Sequence, residues 1–112
     1  VAIPFDQRHC ASRGSVLKVQ ANFSTWLESG DTLASGAVEQ VGSTDLVLGT
    51  VSVSTGYVEG ELLGGSTVAA SMALEFTVTA SSDLAQGRRT VRVTPTSAST
   101  FSEPFDLLLE II

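Results

Sequence analysis

An antiparallel β-sandwich of about seven strands is predicted by three features of this chain. Fifteen serines and twelve threonines accompany abundant valine in 112 residues, a mixture that suits pleated strands because β-branched side chains lose freedom in helices. Short runs alternate apolar with polar residues at a period of two. Turn-forming Gly, Ser, Thr and Asp interrupt these runs roughly every dozen residues, and no segment carries a 3.6-residue period. One domain accounts for the length, which is enough for a continuous core.

Residues 1–15 (VAIPFDQRHCASRGS) show neither period and are expected to form an extended N-terminal arm, with the sandwich spanning 16–112. Its apolar head, Val1, Ile3 and Phe5, is a candidate protein interface. From Val16 the pattern changes: Leu17, Val19, Ala21 and Phe23 alternate with Lys18, Gln20 and Asn22 in a half-buried strand. Ser24 to Asp31 reverses the chain, with Trp26 and Leu27 expected to plug the end of the core. Trp26, Gly30, Asp31 and Thr32 are assigned a structural role in this turn.

Thr32 to Val41 reads as the next strand, weakened by Gly36. Leu46, Leu48, Val51 and Val53 make a third, whose alternation slips at Gly49-Thr50 as a bulge would make it do. Tyr57 to Leu63 is a fourth strand, followed by a Gly64-Gly65-Ser66-Thr67 loop, and Met72, Leu74, Phe76 and Val78 define a fifth. Arg88 to Pro95 is a strand with Val91 and Val93 inward, and Thr96 to Thr100 is a Ser/Thr-rich connection. Along Glu103 to Ile112, Phe105, Leu107, Leu109 and Ile111 share one face while Leu108 and Ile112 put apolar groups on the other, predicting burial on both sides, either in the middle of a sheet pair or beneath a partner subunit.

The chemistry-bearing residues are few. Twelve acidic against six basic residues give a net charge of −6, which repels phosphate and argues against nucleic-acid binding. The longest apolar run, Leu107 to Leu109, is too short to span a membrane, so no membrane role is expected. The single cysteine, Cys10, excludes an intrachain disulfide, and His9 beside it on an extended segment is poorly placed to activate it. No catalytic residue is assigned. Asp31, Asp45, Asp83, Glu59 and Glu61 lack calcium-loop spacing and lie where turns or solvated faces use them, so neither metal nor cofactor is expected. Arg88, Thr90 and Arg92 share one strand face, and Arg88 and Arg92 join Leu108 and Ile112 as candidate interface residues.

The strand Val16 to Phe23, then Trp26-Leu27, Gly30-Asp31-Thr32-Leu33, and Leu63-Gly64-Gly65-Ser66-Thr67 before the Met72 to Val78 strand, resemble small immunoglobulin-like structural proteins of tailed bacteriophages. Fibre-tail adaptors and decoration proteins are of this kind. The likeness covers residues 16–80. After Ala80 the chain departs from it, with a longer Ser81 to Thr100 segment that includes the Arg-rich strand. The resemblance implies an immunoglobulin-like sandwich and a non-enzymatic, multi-copy adaptor, cement or decoration subunit. Such a subunit belongs to the virion, is assembled in the host cytoplasm, and binds copies of itself or other capsid, portal, tail or fibre proteins. The alternative is a carbohydrate-binding or adhesin-type sandwich, for which Tyr57 is the exposed-aromatic candidate.

Overall fold

The computed structural model describes residues 8–58 and 67–112. Val1, Ile3 and Phe5, Glu59 and Glu61, and Gly64 to Ser66 lie outside the described residues. Among the described residues, ten strand segments follow in chain order: β1 (Arg8–Ala11), β2 (Val16–Asn22), β3 (Leu33–Val41), β4 (Val47–Leu48), β5 (Ser52–Val53), β6 (Tyr57–Val58), β7 (Thr67–Val68), β8 (Ala73–Thr79), β9 (Gly87–Ser97) and β10 (Phe105–Ile111).

They build a sheet of order β1-β10-β9-β3 and a second of order β2-β8-β4, in which β5 also pairs with β8; β6 and β7 form a separate two-stranded pair. The sets β3-β9-β10 and β2-β8-β4 reproduce the two-sheet connectivity of an immunoglobulin-like sandwich. The core lies between them: Val19, Ala21, Leu74, Phe76 and Val78 from one sheet meet Val91, Val93, Leu107, Leu109 and Ile111 from the other, all almost fully buried. These are the inward positions of the period-two patterns, as burial on one face of each sheet requires.

The N-terminal boundary differs from the sequence expectation. Arg8–Ala11, expected to belong to an arm, is a strand paired in parallel with β10, with Arg8 beside Leu108 and Ala11 beside Ile111. Ala11 is 3% exposed and belongs to the core. The sheet thus begins before residue 16, because β10 supplies a partner for a four-residue strand too short to carry a pattern of its own.

The slip expected at Gly49-Thr50 is visible in the register. Leu48 lies opposite Val78, and Ser52 opposite Glu75. Four steps along one strand therefore match three along its partner, and the extra residue divides the expected third strand into β4 and β5. Gly49 keeps the ladder through its N–H to the Thr77 carbonyl at 2.8 Å.

Pro95 sits within the long central strand β9, opposite Gly36 of β3. The Ser97 amide points to Phe101 on the β10 side, so the Pro95 nitrogen two residues earlier points the same way. There β10 has not yet begun pairing, its first partner being Val93, and no ladder bond is lost.

Candidate functional site: the Trp26 end of the sandwich

One end of the sandwich is built from two loops far apart in sequence. In the first, the Asn22 side chain accepts the Ser24 N–H at 3.0 Å, and the N–H groups of Trp26 and Leu27 both donate to the Phe23 carbonyl at 3.0 Å. The Asp31 N–H donates to the Glu28 carbonyl at 2.9 Å, with Gly30 between them at φ +83°, where a side chain would be strained. The Asp31 carboxylate accepts the Thr32 N–H at 2.9 Å. Gly30, Asp31 and Thr32 thus form one hydrogen-bonded turn.

The second loop follows β9. Ser97 donates its N–H to the Phe101 carbonyl at 2.8 Å, and the Phe101 N–H returns to Ser97 Oγ at 3.1 Å. Thr100 between them adopts φ 68°, a left-handed conformation that a β-branched residue rarely takes. The Ala98 N–H donates to the Thr32 carbonyl at 2.8 Å and joins the two loops.

Trp26 packs across the junction. Its ring lies edge-on to Phe23 and to Phe105, with centroids 6.1 Å away in both cases, and its Nε1 donates to Glu103 Oε2 at 2.9 Å. Between the loops is a cleft of about 380 Å³, open to solvent and lined by Trp26, Glu28, Asp31, Ser97, Phe101 and Glu103, among others. Phe101 is 61% exposed. Sequence reasoning singled out Trp26 and Asp31 but missed Phe101, Ser97 and Glu103, which lie in or beside a stretch read as a Ser/Thr-rich connection.

Of the candidate interface residues, Arg88, Arg92 and Leu108 lie on the outer face of the β1-β10-β9-β3 sheet, and Val1, Ile3 and Phe5 lie outside the described residues. Arg92 is directly opposite Asp106, with its Nε 3.0 Å from Asp106 Oδ1. Asp106, and beyond it Glu39, hold the guanidinium pKa above its ordinary value. Arg88 is opposite Glu110. Between these charged rows runs a row from Leu108 through Thr90 to Val41, in which Leu108 and Val41 are 38% and 36% exposed. Ile112, just past β10, is 53% exposed. Leu108 and Ile112 therefore stand open, not covered by the other described residues.

Arg89 turns the other way. Its Nε bonds both Asp45 carboxylate oxygens, at 3.2 and 3.0 Å, and Nη2 donates to the Ala85 carbonyl at 2.9 Å. Gln40 donates to Asp45 at 2.7 Å and accepts the Leu46 N–H at 2.9 Å. The Gln40 hydrogen bond, reinforced by Arg89, holds the Asp45 carboxyl below its ordinary pKa. Asp45 is thus engaged in a structural network, and Asp83 in a hydrogen bond with Ser81. Among the described residues, no three His, Cys, Asp or Glu side chains come together as a metal site would need.

No family model matches the chain, and no curated protein matches it. Among solved structures it is similar to a family 123 glycoside hydrolase from Clostridium perfringens, at 10% identity and a TM-score of 0.47. The match covers 95% of this chain and 23% of that one.

Proposed function

We propose that this protein is a non-enzymatic structural subunit of a bacteriophage virion, a multi-copy adaptor, cement or decoration protein. It binds neighbouring capsid or tail proteins, or further copies of itself, through one face and edge of its sandwich. The observation that carries this reading is the outer row Leu108-Thr90-Val41, apolar at both ends and flanked by the charged rows of Arg92 and Arg88. An apolar strip between complementary charges suits a protein contact, the strip supplying burial and the charges fixing register. Support also comes from β1, which forms an edge of the same sheet beside Leu108 and offers a strand edge for a neighbour to pair with.

The test is native mass by light scattering across a wide concentration range. It compares the full chain, a chain lacking residues 1–7, and the Leu108→Asp variant. Removal stops at residue 7 because Ala11 belongs to the core. A discrete oligomer that dissociates in both variants, with circular dichroism unchanged, is expected. A monomer in all three that also fails to bind isolated virion proteins overturns the proposal.

A further inference from the structure

We propose that the cleft between Trp26 and Phe101 receives a basic segment of a partner protein, seating an arginine or lysine side chain against the two aromatic rings. The cleft's volume, about 380 Å³, lies within the range of pockets that hold small ligands. Phe101 is held out at its mouth by the paired hydrogen bonds with Ser97, and its 61% exposure leaves an aromatic face available to a cation.

Charge selects the occupant. The titratable residues lining the cleft are Glu28, Asp31 and Glu103, with no Lys or Arg among the lining residues. The ion pairs of the described chain lie elsewhere, at Lys18–Glu75, Arg89–Asp45 and Arg92–Asp106. Acidic residues without a basic one along the cleft favour an incoming cation. A neutral sugar gains nothing from this charge. Ser97, 2% exposed, holds the Phe101 loop in place by accepting the Phe101 N–H at its Oγ.

Trp26 is the chain's only tryptophan, so its fluorescence reports occupancy directly. The full chain is titrated with acetyl-Gly-Arg-Gly-amide, with the matching citrulline peptide, and with chitotriose. The arginine peptide is expected to give a saturable change, with citrulline at least about tenfold weaker, as loss of an ion pair with several carboxylates implies. Phe101→Ala is expected to weaken binding about two- to fivefold, the share of an exposed cation–aromatic contact. Glu28→Gln combined with Glu103→Gln keeps an acceptor for the indole N–H, and with it the near-UV circular dichroism, but abolishes the response. The proposal is overturned if the arginine peptide does not saturate, if citrulline binds equally well, or if chitotriose saturates where arginine does not.

Discussion

The indole Nε1 of Trp26 donates to the carboxylate of Glu103 at 2.9 Å, across 77 positions of sequence. This bond ties the loop after β2 to the segment entering β10, and so fixes the width of the cleft between them. Glu103→Ala is expected to lower stability by about 1–2 kcal/mol, because it leaves a partly buried indole donor without its charged acceptor. Glu103→Gln should cost less than half as much. Urea unfolding followed by Trp26 emission reads both; equal losses would show that the side chain matters through packing alone.

Gly36 faces the isobutyl group of Leu74 so closely that a Cβ there would overlap it. Leu74 is fully buried, so its methyl groups can give way only by displacing core neighbours. Gly36→Ala is therefore expected to destabilise by about 1–3 kcal/mol, the usual cost of overpacking. Combining it with Leu74→Ala should cost less than the sum of the two single changes, since the second creates the room that the first requires. Additive losses in a denaturation cycle would remove the steric explanation.

Glu75 and Asp45 contribute to stability in a way that acid removes. The Ser54 hydrogen bond, helped by Lys18, holds the Glu75 pKa below 4.5; the Gln40 hydrogen bond, helped by Arg89, holds Asp45 below 3.8. Lower values in the folded state mean that the unfolded chain binds protons more readily. The stabilisation is present above the unfolded values and is lost as pH falls through the folded ones, from about pH 5 downward. Melting temperature measured against pH should decline there, and Glu75→Gln should flatten the decline. An unchanged acid limb would exclude Glu75 as a contributor.

Thr100 holds φ at 68° between Ser97 and Phe101. Relief of that strain outweighs the added freedom of a glycine in the unfolded chain, so Thr100→Gly should stabilise by about 1 kcal/mol. Thermal unfolding of the variant checks the sign, and a destabilisation would mean that the Thr100 hydroxyl bond to the Ser99 carbonyl, 2.6 Å long, contributes more than the strain costs.

Where alternation is long enough to count, the fold was legible in advance. β2 and β8 fall where Val16 to Phe23 and Met72 to Val78 alternate, and the slip at Gly49-Thr50 marks the bulge that separates β4 from β5. β1 was not legible, because Arg8–Ala11 has no apolar period and owes its strand conformation to the waiting edge of β10. The cleft was half legible. Trp26 stood out as a lone tryptophan before a Gly-Asp-Thr turn, whereas Phe101 and Glu103 reach it only through the approach of two loops that no local pattern announces.

The parallel pairing of β1 with β10 has a mechanical consequence. The chain enters β1 at the end where Arg8 lies beside Leu108 and leaves β10 at the opposite end, where Ala11 lies beside Ile111. Tension applied through the flanking segments runs along the ladder and loads its hydrogen bonds in shear. Two further bonds, from the Ile112 N–H to the Ala11 carbonyl at 3.1 Å and from the Arg13 N–H to the Ile112 carbonyl at 3.3 Å, extend the same clamp. Such a ladder must give way as a unit, whereas an antiparallel terminal hairpin unzips one bond at a time. Pulled between two neighbours, the domain would resist force best along the line joining its two ends.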